Sequence, residues 1–217
     1  MGTPDVPELN RHERRRRRTH AALIEATQDL IAVEGLGVSV HSIADRADVA
    51  LGTLYNHFDS KGDLVAAAAA SAVVSFEYYM ARRCADIEDP VEAFCANTRL
   101  YGRMVDTHPR LAQVLVQTAP DLSARPNGYN PAAYEMLEPL VRSGRLTCSD
   151  LGLVLMVAFA AFERMLAVRL RDPGVGPERV DALSALTLTW FGLPADEAKR
   201  LADSPLPPWP DPVLSSS

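Results

Sequence analysis

The stretch Ser39–Lys61, SVHSIADRADVALGTLYNHFDSK, decides the reading of this 217-residue chain. Ser39 is a good N-cap ahead of Val40, Ile43, Ala44 and Ala47, apolar positions three and four apart that form one face of a short helix. Asp48 interrupts, and a second helix is expected over Ala50 to Phe58, with Leu54 and Phe58 on its buried side. The break has the length of a helix-turn-helix. On a helical wheel Leu54 and Phe58 lie within about 40° of each other, and Gly52 and Asn56 centre on the opposite face. Thr53 and His57 line one flank of that face and Tyr55 the other, so groups able to bind phosphate oxygens bracket a surface that can reach base edges in a major groove.

Gly52 carries weight because a glycine inside a helix costs roughly 1 kcal/mol against alanine, which close approach to a DNA backbone or a neighbouring helix would justify. Ser60 can cap a third helix, placing Lys61 at a helix N-terminus suited to a phosphate. Asn56 can pair its amide bidentately with adenine, or it is simply a solvated helix residue. The competing interpretation is an ordinary helical hairpin in which Tyr55 and His57 are packing residues. It leaves the joint register of cap, turn, glycine, polar face and capped lysine without a reason.

On these residues the segment resembles the DNA-binding domain of the tetracycline-repressor-like (TetR) family of bacterial transcription regulators. The family form is a Thr-Val-x-x-Ile-Ala helix, a Gly-Val-Ser turn, a Gly-Thr-Leu-Tyr-x-His-Phe recognition helix and x-Ser-Lys. Here these stand as Ser39 to Ala44, Asp48 to Ala50, Gly52 to Phe58 and Asp59 to Lys61, with Leu23, Ile24, Ala26, Leu30, Ile31 and Gly35 fitting the upstream helix. The good match runs over roughly residues 18 to 70. Three departures stand out. Asp48 replaces the turn glycine, tolerable because Asp visits left-handed backbone more readily than most residues. Ala50 replaces a capping serine, a loss of roughly 1 kcal/mol. Leu51 stands where a polar residue is common, near the buried flank or against a thymine methyl. The DNA-contacting set is then Arg16, Arg17, Arg18, Ser39, His41, Leu51, Gly52, Thr53, Tyr55, Asn56, His57 and Lys61.

The net charge of −6 argues by itself against a nucleic-acid binder, but residues 11–18, RHERRRRR, hold six arginines against one glutamate. The acidic remainder should confine DNA contact to one surface. As an export signal the run fails, because Glu25, Asp29 and Glu34 interrupt the segment after it. As a membrane anchor it lacks apolar partners. As a flexible arm before the first helix it can lie along phosphates or enter a minor groove; a merely solvated charge run is the alternative. Cys84, Cys95 and Cys148 are odd in number and lack metal spacing, which suggests reduced thiols in a cytoplasm and leaves a redox role open. The five histidines form no i,i+4 pair, so no metal or other cofactor is expected. No stretch reads as cleanly long and apolar enough to span a membrane.

The chain is therefore expected to be all-α: a basic flexible arm over 1–18, a helix-turn-helix domain over 19–64, a larger helical domain over 65–202 and a disordered Pro-rich tail over 203–217. Helices are expected over Ser60 to Ile87, Pro90 to His108, Pro109 to Thr118, Ala132 to Ser143, Ser149 to Arg171 and Pro177 to Gly192, with a turn-rich loop from Pro120 to Pro131. The last two helices are apolar around more of their circumference than surface helices of a monomer. The resemblance implies that they pair with a second copy, setting two recognition helices on a pseudo-palindromic operator.

It also implies a small-molecule cavity among the middle helices, for which Phe76, Tyr79, Phe94, Tyr101, Met104, Met156, Phe159, Phe162 and Met165 are candidates, although bulky apolar residues at helical spacing are usually core. Glu163, alone in an apolar turn beside Arg164, is a ligand contact, a dimer ion pair or a rim residue. Such a lining suits an apolar or aromatic molecule, so the expected function is a homodimeric, ligand-released repressor. No nucleophile elbow, phosphate loop or carboxylate pair points to an enzyme. A helical ligand-binding protein that keeps the helix-turn-helix only as scaffold is the second possibility, which the missing cap at Ala50 favours.

Overall fold

In a computed structural model of the chain, residues 10–123 and 131–207 are described, and every regular element among them is helical. The chain forms two compact units, Met1–Ala72 and Val73–Ser217, dividing inside a long helix rather than after residue 64. The first unit holds α1 (Arg11–Glu34), a 3-10 turn (Gly35–Gly37), α2 (Val40–Arg46), α3 (Leu51–Tyr55) and the start of α4 (Lys61–Arg83).

Residues 11–18 are the first two turns of α1 and not a flexible arm ahead of it. Asn10 Oδ1 accepts from the Glu13 N–H at 2.9 Å, and Glu13 Oε2 accepts from the Asn10 N–H at 3.2 Å. That capping box satisfies two donors at the helix start, and arginine is a good helix former. Leu23, Ala26, Thr27 and Ile31 then bury one face of α1 against Ile43, Ala44, Leu54, Phe58 and Leu64 of the same unit's core. Polar ties fix these contacts: Arg46 to Asp29 at 2.8 Å, and Gln28 Nε2 to the Ala68 carbonyl at 2.9 Å.

The second unit contains the remainder of α4, α5 (Pro90–Gly102), α6 (Met104–Thr107), α7 (Pro109–Ser123), α8 (Pro131–Arg142), α9 (Leu151–Arg171), α10 (Glu178–Trp190) and α11 (Ala195–Asp203). The helix expected over Pro90 to His108 is broken at Arg103, beside a glycine of low helix propensity. The expected loop after Pro120 begins later, since α7 runs to Ser123; residues 124–130 lie outside the described residues. α11 was not anticipated, although Ala198, Leu201 and Ala202 repeat at three and four residues and are buried. The expected disordered tail begins too early at 203: Arg99 Nη1 donates to the Ser204 carbonyl at 2.7 Å, Arg83 donates to the Pro207 carbonyl, and Leu206 packs against the cluster of Met80, Cys84, Ala96 and Leu100. Residues 208–217, Trp209 included, lie outside the described residues.

Contrary to the sequence expectation, α4 and α9 are each long and apolar enough to cross a membrane by length and composition, with mean hydropathies of 1.4 and 2.0. In α4 the apolarity comes largely from alanines, and in α9 all charges fall after Phe162. Both helices are tied into the fold. α9 buries Leu151, Leu155, Ala158, Phe162 and Leu166, and its Arg169 is 5 % exposed. The Arg169 guanidinium donates to the Gly102 carbonyl at 2.6 Å, to the Val175 carbonyl at 3.0 Å and to both Asp106 oxygens at 3.0 Å.

α5 and α10 meet through a second cationic seam. Asp181 accepts from Arg99 Nε at 2.7 Å and from Arg103 Nη2 at 2.6 Å. Burial pushes the Asp181 carboxyl up, but the two guanidinium groups outweigh it and hold the group below its ordinary range. Above that seam Gly102 faces Val180 so closely that a Cβ would sit 2.8 Å from Cγ2 and 3.2 Å from the Val180 Cβ. Valine is stiff at χ1 and Val180 is fully buried, so it cannot swing away. Gly102→Ala is therefore expected to destabilise the protein by about 1–3 kcal/mol, read as a lower denaturant midpoint in chemical unfolding; an unchanged midpoint would show that this helix pair is not tightly packed.

Candidate nucleic-acid interface and effector cavity

Ser39 caps α2, its Oγ accepting from the Ser42 N–H at 3.0 Å, and Ile43 and Ala44 turn inward as their spacing implies. Asp48 stands at φ 53°, the one non-glycine residue with positive φ among the described residues, and the Val49 N–H closes the turn onto the Ala44 carbonyl at 3.0 Å. α3 is shorter than expected, ending at Tyr55, and Asn56 and His57 continue it only as a turn. No side chain caps its start; the Ala50 carbonyl accepts from Thr53 and Leu54 while the N-cap position offers only a methyl. Five residues cannot hold a helix alone, so burial of Leu54 and Phe58 holds this one in place.

That burial sets what faces out. Gly52, Tyr55 and Asn56 are exposed, Tyr55 at 48 %, while Leu51, Thr53 and His57 are half-buried along the flanks. A Cβ at Gly52 would meet no atom within 4 Å, so no neighbouring helix demands glycine there. Ser39 and His41 are exposed at the start of α2. α1 contributes a residue that sequence reasoning missed. His20 stacks on Phe58 with ring centroids 4.7 Å apart and meets His57 at 5.8 Å. Its signal was available, since His20 lies three and seven residues ahead of the buried Leu23 and Thr27. Arg16, one further turn back, is close enough for its charge to act on His57. Arg17 and Arg18 are exposed on other sides of the same helix.

Lys61 has an internal task that the sequence did not disclose. Its Nζ donates to the Leu36 carbonyl at 2.7 Å, tying α4 to the turn after α1, and only its remaining donors are available to a phosphate. Ser60 caps α4 as expected, accepting from the Asp63 N–H at 3.1 Å.

In the second unit Phe76, Tyr79 and Met104 border a narrow cavity of about 20 Å³, together with Ser75, Met80, Leu100, His108 and Leu111. Tyr101 adjoins it, its ring 5.3 Å from Phe76 and edge-on, and Tyr79 meets His108 at 5.3 Å. Burial, and secondarily the charge of Glu163, pushes the Tyr101 hydroxyl far above its ordinary range, and burial raises the Glu163 carboxyl. Phe94, Phe159 and Phe162 are not brought to this space. Phe94 packs edge-on against Phe191 at 5.2 Å and Phe159 at 6.5 Å in the main core, and Phe162 is 1 % exposed. Met156 faces outward and Met165 is half-buried, neither bordering the cavity. The three cysteines are free, and burial raises each thiol, Cys95 to about 12, so none is activated.

Burial, then the neighbouring His20 and Arg16 charges, lowers the His57 pKa below 6.5. Protonation at this position therefore disfavours the folded state, with no penalty above about pH 6.5 and a growing one as the pH falls through that value. His57→Gln is expected to gain thermal stability relative to the parent as pH drops from about 7.5 to 5.5. Parallel melting curves over that interval would contradict it.

Residues 23–68 match the model of the bacterial regulatory proteins, tetR family, and residues 89–204 that of the tetracyclin repressor-like C-terminal domain. No curated protein matches the chain significantly. Similar solved structures include RolR in complex with resorcinol, 24 % identical, covering 91 % of this chain and 99 % of that one with a TM-score of 0.66. A gamma-butyrolactone receptor described as ArpA-like is 20 % identical over 87 % and 95 %, at 0.59. A TetR family transcription regulator from Marinobacter aquaeolei VT8 is 16 % identical over 88 % and 94 %, at 0.61. These likenesses are to the fold, whereas the two family models together span a helix-turn-helix and a helical domain in the order found here, and the chain belongs to the tetR family of bacterial transcription regulators.

Proposed function

We propose that this regulator is a homodimeric, cytoplasmic repressor that α3 places on a pseudo-palindromic operator and that a small apolar or aromatic effector releases. The observation that carries the reading is the division of α3: Leu54 and Phe58 inside, Gly52, Tyr55 and Asn56 outside, with Arg16 and His57 alongside. Asn56 reads a base, while Thr53, Tyr55, His57, Arg17 and the free donors of Lys61 take phosphates, assisted by Ser39 and His41; Arg18, opposite Arg16 on α1, is turned away from them. Leu51 and Gly52 let the helix approach closely.

Dimerisation is supported by an outward apolar face on the last long helices. Leu153 at 50 %, Met156 at 42 % and Val157 at 47 % exposure lie along α9, and Leu186 at 51 % lies on α10. Side chains of this size left open on two helices favour a partner surface. The effector site is the space bordered by Phe76, Tyr79 and Met104, apolar with hydroxyl and imidazole groups at hand; as it stands it is too small for a ring, so a ring-sized effector enters only if these side chains move. The resorcinol bound by RolR is a molecule of the class such a lining accepts. Glu163, beside Tyr101, supplies a polar handle.

α4 carries Lys61 in its first turn and Ser75, Phe76, Tyr79 and Met80 further along, so it is the element through which effector and operator compete. An effector that weakens operator affinity by about 100-fold must bind the DNA-bound form about 100-fold less tightly, near 2.7 kcal/mol of coupling.

Selection of bound sequences from a random duplex pool is expected to return a pseudo-palindrome. With that operator, Asn56→Ala should cost about 1–3 kcal/mol and relax preference at one or two base pairs only, while a uniform loss over all sequences would place Asn56 on the backbone instead. Leu153→Glu combined with Leu186→Glu is expected to give a folded monomer in sedimentation with weak affinity for the full palindrome. A dimer that survives both charges would place the interface elsewhere.

A further inference from the structure

We propose that the outer face of the first two turns of α1, carrying Arg11, Arg14, Arg15 and Arg18, binds the phosphate backbone of a second DNA duplex while α3 holds the operator. The inference rests on the operator-reading role of α3. It starts from the capping box at Asn10, which makes residues 11–18 helical and so assigns each arginine to a side. Arg16 continues the line of His20, Leu23 and Thr27, the line that packs against Phe58 and His57. At roughly 100° per residue, Arg14, Arg18 and Arg11 fall at about 160°, 200° and 220° from Arg16, on the far side of the helix, and Arg15 at about 260° on the flank beside them.

The four side chains are exposed, border one open space with His12, and make no ion pair among the described residues. The adjacent carboxylate, Glu13, is engaged by the Asn10 N–H. A helix with its side chains is about 10–12 Å thick, so a duplex lying under α3 and Arg16 is out of reach of this face.

Charge density selects the partner. From Arg11 to Arg18 the helix rises about 10 Å, so four guanidinium groups are concentrated within two turns. Duplex DNA is a dense polyanion, with one negative charge per about 1.7 Å of axis over its two strands. No aromatic or bulky apolar side chain interrupts the stripe, so it lacks the desolvated anchor on which protein interfaces depend. The match is to a regular anionic backbone contacted through solvent, and two DNA segments can be held by one protein.

The test compares R11Q/R14Q/R15Q/R18Q with R16Q. Glutamine keeps nearly the same helix propensity, and circular dichroism verifies that both variants fold. Each protein is saturated with immobilised operator duplex, and retention of a labelled duplex of unrelated sequence is measured from about 50 to 200 mM salt. The parent is expected to retain the second duplex with a log–log salt slope of magnitude about 3 to 4. The quadruple variant should lose about nine-tenths of that retention and keep operator affinity within about threefold. Arg16→Gln should show the reverse pattern. Undiminished capture by the quadruple variant, or a loss of operator affinity equal to that of Arg16→Gln, overturns the proposal. Absence of any sequence preference in the parent before the second duplex is added is seen separately, and it removes the role of α3 and with it this arrangement.

Discussion

The first unit depends on the burial of Leu54 and Phe58. A five-residue helix with an alanine at its N-cap has neither the length nor the capping to persist in water, and each of these two side chains contributes about 1.5–3 kcal/mol by leaving it. The same burial fixes how α3 is rotated, and rotation alone decides that Gly52, Tyr55 and Asn56 look out. His20 extends the constraint to α1 by lying flat on Phe58, so the rotation of the arginine-rich turns is set by the contact that orients the recognition helix. One apolar cluster thus determines both the polar face of α3 and the arginine faces of α1.

The second unit is organised around α5, where buried cations tie together helices that also share an apolar core. Arg99 and Arg103 share Asp181 across to α10, while Arg169 of α9 reaches the end of α5, the short α6 and the loop at Val175. A guanidinium presents five donors in a fixed fork, so one buried arginine can satisfy carbonyl and carboxylate acceptors from several elements at once. Close approach of the Val180 side chain to the Gly102 backbone brings α5 and α10 together beside these pairs. Held in this way, Met104 and His108 form one wall of a narrow apolar space, and the outer faces of α9 and α10 remain apolar and open.

Lys61 shows how a familiar motif position can serve two ends. As an ammonium at the start of α4 it suits a phosphate, yet one of its donors is engaged by the Leu36 carbonyl, which closes the turn after α1. Replacing it removes a structural tie together with a positive charge, so its substitution does not isolate a DNA contact. Thr53 and Asn56, with no such tie among the described residues, give cleaner probes of the interface.

The helix-turn-helix was legible in the sequence because its determinants are local: Ser39 at a cap, Asp48 able to turn left-handed, Leu54 and Phe58 four apart, Ser60 before Lys61. The helical character of the second unit was legible for the same reason, through prolines at helix starts and apolar repeats. Contacts between residues far apart in the chain were left undecided. Nine aromatic and methionine positions shared one periodic signature, and only tertiary packing separated Phe76, Tyr79 and Met104 at the cavity from Phe94 and Phe162 in the core. A run of arginines reads alike as arm or helix until Asn10 and Glu13 close a capping box, and the tail reads as disordered until Arg83 and Arg99 take hold of its carbonyls. By itself the sequence determined most of the helical segments, though not residues 11–18 or α11, and which face of α3 is polar, since these are set by spacing along the chain; tertiary structure alone decided which buried side chains enclose space and which arginines point toward or away from α3, because both depend on how helices are rotated against one another.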